Sequence, residues 1–183
     1  MAEYSMTTPL TAEDVDKLHA GDKVNLNGYM YTARDAAHKR LVDLINEGKP
    51  LPMPLEGQVI YYVGPSPTPP GKVIGSAGPT TSGRMDRYAP ILIERGLRGM
   101  IGKGERSAPV VEAMRKYGAV YFAATGGAAA LISKRITEAT VIAYPELGAE
   151  AINRLKVENF PVIVAQDRYG GNIYKEGQKQ YAR

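Results

Sequence analysis

Cysteine is absent from this 183-residue chain, which excludes disulfides, thiolate nucleophiles and thiolate-held metal within it. Histidine occurs only twice, at His19 and His38, too few for a self-contained zinc site. No uninterrupted apolar run approaches the roughly 20 residues of a membrane-spanning helix. The first residues, Met1 to Ser5, hold no basic segment followed by an apolar one, so no secretory leader is expected. No GxGxxG turn is present. Gly71-Lys72 lacks both the spacing before it and the Ser/Thr after it that a phosphate loop requires. Together these absences fit a cytoplasmic protein with no membrane segment and no metal site of its own.

Charge of neither sign dominates. Lys and Arg number 23 against 19 Asp and Glu, a formal net charge of +4. The basic residues are scattered among acidic ones, as in Lys134-Arg135-Ile136-Thr137-Glu138. Without a dense basic block or an aromatic RNA-binding motif, nucleic acid is not the expected partner. A mild basic excess equally suits a small dianion. The apolar content of 44% is ordinary for a globular chain, and the length suits a single domain over residues 1–183.

One stretch organises the rest: Gly78-Pro79-Thr80-Thr81-Ser82-Gly83-Arg84-Met85-Asp86. It follows a strand-like run, Lys72 to Ala77, and precedes a segment in which Met85, Tyr88, Ala89 and Leu92 share a helical face. Three hydroxyls stand where a helix should begin, and Ser and Thr cap helix starts well. The same start offers unpaired N–H groups to an anion. Arg84 adds a planar fork suited to a carboxylate or phosphate. A capped turn with a surface arginine would have the same residues.

Elsewhere the chain alternates strands, turns and helices. Residues 1–20 read as an arm, with a capping-box start at Thr11-Ala12-Glu13-Asp14. Asp22 to Tyr31 alternates as a strand bulged at Gly28. Thr32 reads as the cap of a helix whose apolar face is Ala37, Leu41, Leu44 and Ile45, which puts Arg34 in the first turn. A cation there opposes the helix dipole, and such local violations sometimes mark sites. Residues 64–71 form a Pro-rich loop. Gly99 to Gly102 is a strand end, after which Lys103 sits in a glycine-flanked turn and Ser107 begins a helix. Ala119 to Ala124 is a strand, followed by the small-residue turn from Thr125. Ala149, Ile152 and Leu155 suggest a helix, Pro161 to Ala165 a last strand, and residues 166–183 a polar tail. Repeated strand–turn–helix units imply an α/β fold with a substantially parallel sheet.

The stretch at 78–86, with Thr32-Ala33-Arg34-Asp35-Ala36-Ala37-His38, Lys103-Gly104, Thr125-Gly126-Gly127-Ala128-Ala129 and Glu146-Leu147-Gly148, resembles the β subunit, or C-terminal domain, of class I iron–sulfur fumarase and L-tartrate dehydratase. The resemblance runs from about residue 10 to about residue 175. It implies a three-layer swivelling β/β/α domain and a hydro-lyase, active only with a separate α subunit, expected as an α2β2 assembly. It further implies a 4Fe-4S cluster held by that α subunit and none bound by this chain. The reaction would be hydration of fumarate to L-malate, with tartrate dehydration to oxaloacetate as the alternative. A non-catalytic anion- or RNA-binding module is a more distant one. By the same resemblance, Arg34, Arg84 and Lys103 would hold substrate carboxylates, Thr81 would assist, and Thr80 would bind substrate and take the C3 proton.

Overall fold

The computed structural model describes residues 1–124 and 129–181, so Thr125-Gly126-Gly127-Ala128 of the small-residue turn lies outside the described residues. In chain order the elements are β1 (Glu3–Thr7), α1 (Ala12–Lys17), β2 (Lys23–Thr32), α2 (Asp35–Asn46) and β3 (Val59–Tyr61). A 3₁₀ turn (Ser82–Met85), α3 (Ala89–Glu94), β4 (Gly99–Gly102), α4 (Ala108–Tyr117) and β5 (Val120–Ala124) follow. The chain then forms α5 (Ala129–Ser133), β6 (Ile136–Ala143), a 3₁₀ segment (Pro145–Glu150), β7 (Ile152–Gln166) and α6 (Ile173–Tyr181).

The fold is mixed α/β, with one seven-stranded sheet in the order β1-β2-β3-β4-β5-β7-β6. The pairs β1–β2, β2–β3, β3–β4 and β4–β5 are parallel, and β7 runs antiparallel to β2, β5 and β6. Because β7 pairs with both β5 and β2, strands β2, β3, β4, β5 and β7 close into a ring. Alternation along each strand then serves two cores, since successive side chains point to opposite faces. Val59, Tyr61, Ile101, Val120 and Phe122 join Leu26, Met30, Leu155 and Phe160 in one cluster. The intervening Ile60, Tyr62, Met100 and Tyr121 meet Leu41 of α2, Leu92 of α3 and Met114 of α4 in the other. Each large side chain buried this way contributes about 1.5–3 kcal/mol.

Several elements differ from the sequence reading. The N-terminal arm holds a strand, β1, paired with β2 from Glu3↔Lys23 to Thr7↔Asn27. The capping box at its end forms as expected, with Thr11 and Asp14 bonding reciprocally. Lys72 to Ala77 forms no strand. It folds against the Pro-rich loop instead: Ser66 N donates to Ser76 O at 3.0 Å, and Ser76 N donates to Ser66 Oγ at 2.8 Å. The helix read from Ala149, Ile152 and Leu155 does not form: Ala149 lies in the 3₁₀ segment, and Ile152 and Leu155 lie at the start of β7. A spacing of three puts residues on one face of a helix but on opposite faces of a strand, and Ile152 and Leu155 do enter different cores. The polar tail contains α6.

The β2–β7 bulge is set by backbone freedom on both strands. Gly28 has φ +100°, and a Cβ there would lie 2.8 Å from Thr8 Oγ1. Opposite it, the register of β7 jumps between Val157 and Phe160, with Asn159 at φ +49° and its N–H on Asn27 Oδ1. The jump keeps Leu155, Val157, Phe160 and Val162 all in one core despite the odd step between them.

Candidate active site

The stretch at 78–86 threads between the carboxyl ends of β3 and β4. Thr80 N donates to Tyr62 O at 2.8 Å, Lys103 N to Thr80 O at 3.2 Å, and Ser82 N to Lys103 O at 2.9 Å. Thr81 and Lys103 consequently form a parallel bridge. This is the end of a parallel sheet at which α/β folds present ligand-binding groups. The Thr80 hydroxyl donates to Tyr62 O at 3.0 Å. Neither Thr81 nor any other side chain caps the 3₁₀ turn, and only four residues of it form before α3 starts at Ala89. The expected helix start with its row of N–H donors therefore does not form here.

Beneath the turn lies a buried polar assembly that the sequence reading missed. Tyr121 Oη donates to Gly104 O at 2.8 Å, so Ser82 Oγ is the donor in its 2.7 Å bond to Tyr121. Gly102 permits this approach, because a Cβ there would overlap the Ser82 hydroxyl and come within 2.9 Å of Tyr62 Cδ2. The Arg106 side chain is fully buried. Its Nε donates to Asp86 Oδ1 at 2.7 Å, and its second guanidinium nitrogen donates to Tyr62 Oη at 3.1 Å. The guanidinium also lies 5.1 Å from the Tyr62 ring and 4.9 Å from the Tyr121 ring. Asp86 Oδ2 accepts from Ser107 N at 2.8 Å, and Gln166 Oε1 from Arg106 N at 2.8 Å. Burial opposes the Arg106 charge, yet Tyr62 and Asp86 beside it together hold its pKa above the ordinary value. Burial pushes the hydroxyls of Tyr62 and Tyr121 up. Asp86 stood in the sequence motif, but an arginine inside a core has no signature in one sequence.

The first turn of α2 forms the second wall. Thr32 does not cap it. Its hydroxyl ends β2, accepting from Asn153 N at 3.0 Å and reaching Ala151 O at 3.4 Å. The cap position falls to Arg34, with φ −119° and ψ −162° and no side-chain cap bond, so Arg34 lies just outside the first turn. Its carbonyl accepts from His38 N at 2.9 Å and lies 2.8 Å from His38 Nδ1, which makes Nδ1 the protonated nitrogen. Burial lowers the His38 pKa to about 4, so the ring is neutral. The Arg34 guanidinium has its Nε buried without a hydrogen-bond partner, and Glu150 stands off at 4.0 Å. Asp35 Oδ2 meets Arg84 Nε at 3.1 Å across the gap to the 3₁₀ turn. Among the described residues, the buried side-chain polar atoms without a hydrogen-bond partner are Arg34 Nε, Asp35 Oδ1 and His38 Nε2.

Thus Thr80, Thr81 and Arg84 lie on the stretch at 78–86, Lys103 bridges to Thr81 from the end of β4, and Asp35, the neighbour of Arg34, pairs with Arg84. Thr81, Arg84 and Lys103 are exposed, so the group occupies an open face. A cleft of about 410 Å³ lies elsewhere, between Lys72–Ser76 and Ala130–Ile136. Glu146 of the other family-like motif ion-pairs with Arg40 of α2, whose hydrogen bond lowers the Glu146 pKa. Among the described residues no group of three or more His, Cys, Asp or Glu could hold a metal, and no helix is long and apolar enough to cross a membrane.

Fold and site together define a class: a mixed α/β domain with cations and hydroxyls gathered on an open face at its parallel strand ends. The chain belongs to the Fumarase C-terminus family, matching it over residues 2–177. It is 41% identical over 156 residues to the anaerobic class I fumarate hydratase of Escherichia coli, covering 84% of this chain and 28% of that protein. It is 39% identical over 166 residues to fumarate hydratase 2 of Leishmania major, covering 90% of this chain and 29% of the other. The chain therefore spans under a third of the length of these two relatives. A Methanocaldococcus jannaschii chain named "Putative L(+)-tartrate dehydratase subunit beta" is 39% identical over 184 residues, covering 97% of this chain and 94% of that one.

Proposed function

We propose that the chain is the β subunit of a class I fumarase, a single domain of the swivelling β/β/α type that hydrates fumarate to L-malate reversibly with an iron–sulfur α subunit. The observation that carries this reading is the junction of two turns: Arg34 and Asp35 at the start of α2, against Thr80, Thr81, Arg84 and Lys103 at the ends of β3 and β4. Family membership selects the dicarboxylate among possible anions. Separate α and β chains are favoured by the near-complete overlap with a relative named as a β subunit, and an α2β2 assembly in the cytoplasm follows the family.

In this reading Arg34, Arg84 and Lys103 bind the two carboxylates, and guanidinium forks supply orientation as well as charge. Proton removal beside a carboxylate builds negative charge, which the same cations stabilise. Thr80 stands at the proton to be moved. Its hydroxyl proton is engaged by the Tyr62 carbonyl, which cannot accept it outright, so the proton taken from carbon needs an exit beyond Thr80. The residues of this chain do not fit an iron–sulfur cluster, since there is no cysteine to ligate it. The cluster is assigned to the partner, and no step is derived through it.

Tartrate dehydration is the second reading, favoured by the name of the relative with matching length. Anaerobic co-purification with the α subunit, iron analysis and parallel turnover of malate and tartrate test both. Fumarate–malate turnover in an iron-containing complex supports the proposal. A strong tartrate preference transfers it to the second reading, and turnover by the isolated iron-free chain refutes both.

A further inference from the structure

We infer that Asp35 is a positioning residue that fixes Arg84 to the start of α2 and so sets the separation between the two arginine clamps; this rests on the dicarboxylate reading above. An acid beside a dianion site opposes binding, so its presence needs a reason. Asp35 follows Arg34 directly and reaches Arg84 Nε at 3.1 Å. An ion pair on the Nε side, without a hydrogen bond donated to Asp35, leaves the two terminal nitrogens of Arg84 side by side for one carboxylate. The Arg84 side chain is 59% exposed and Asp35 is the acid that pairs with it among the described residues. An exposed arginine without that tie samples many rotamers, and ordering it costs binding free energy. The other carboxylate oxygen, Oδ1, is buried without a hydrogen-bond partner, so the group is held off water on one side and on Arg84 on the other. The two elements it joins, α2 and the 3₁₀ turn, touch at few other points.

A plain alternative is an acid placed to stabilise the N-terminus of α2. The two roles separate by readout. Arg84 Nε–H resonances of the full chain are recorded by ¹⁵N NMR for wild type, Asp35→Ala, Asp35→Asn and Arg84→Lys, the last assigning the signal. The same variants, and Asp43→Asn on the exposed side of α2 as control, are assayed in the assembled complex with fumarate. Expected are an Arg84 Nε–H resonance shifted in Asp35→Ala, and a KM for fumarate raised about 5- to 50-fold with kcat within about twofold. Asp35→Asn keeps an acceptor and falls between, and Asp43→Asn matches wild type. An unchanged Arg84 resonance in Asp35→Ala, or a lowered melting temperature with unchanged KM, overturns the positioning role. If the wild-type complex leaves fumarate untouched, the hydratase reading fails, and the Arg84 resonance still decides whether Asp35 holds Arg84.

Discussion

Replacing Arg106 by methionine keeps an unbranched apolar stem of similar bulk and removes the charge and the donors. In the wild type the fully buried guanidinium satisfies Asp86 at 2.7 Å and Tyr62 Oη at 3.1 Å, and stacks over two tyrosine rings. The variant leaves Asp86, which is 15% exposed, with Ser107 N as its remaining partner among the described residues. Breaking a buried pair from one side costs about 3–5 kcal/mol, because the remaining charge is stranded. At roughly 2–4 °C per kcal/mol for a chain of this size, the melting temperature should fall by about 6–20 °C. The loss is a large share of a typical total stability of about 5–15 kcal/mol. Adding Asp86→Asn removes the stranded charge while keeping an acceptor for Ser107, so the double variant should recover part of the loss. Urea and thermal melts of the two single variants and the double form a cycle that isolates the pair. An Arg106→Met melting temperature within about 2 °C of wild type would show that the buried assembly does not hold the turn. So would a double variant no better than the sum of the singles.

Two further outcomes concern single side chains. His38 has a folded pKa of about 4 against 6.5 unfolded, so between these values the unfolded state binds more protons and stability falls as pH drops. The loss from His38 should reach about 2.5 kcal/mol at pH 4.5; it should vanish from the urea-melt pH profile of His38→Asn, and equal profiles would refute it. Thr80→Val removes the hydroxyl bond to Tyr62 O but leaves that carbonyl its 2.8 Å bond from Thr80 N, so stability should fall by only about 1 kcal/mol. Steady-state kinetics should show kcat reduced more than KM is raised, and unchanged kcat would remove Thr80 from the proton path.

Much of the sheet was legible because its signals were local. The alternation of Val24, Leu26 and Met30, the glycine at 28 and the strand at 99–102 all read directly from residue type and spacing. Elements fixed by distant partners were not. Thr32 has the chemistry of a cap, but Asn153, 121 residues away, takes its hydroxyl, and Arg34 becomes the cap instead. Lys72 to Ala77 has strand composition, yet its neighbours are the loop residue Ser66 and the Tyr61 hydroxyl. The arginines and lysine of the site were visible as residues and as a family pattern. Their meeting point was not, since it depends on Asp35 reaching Arg84 and on Thr81 bridging to Lys103. Arg106 and Tyr121 beneath them were invisible for the same reason.

Arg84 is the central carboxylate clamp of the proposed site. Lysine at that position keeps the charge that pairs with Asp35 but has no fork for two oxygens. The decisive measurement is kcat/KM for fumarate in the assembled iron-containing complex, wild type against Arg84→Lys, with melts on the same samples. Loss of a charge-assisted hydrogen bond, about 1.5–3 kcal/mol, predicts a fall of roughly 10- to 150-fold with a native-like melt. A kcat/KM within about twofold of wild type, with a lowered melting temperature, would contradict the central claim and return the stretch at 78–86 to a structural turn.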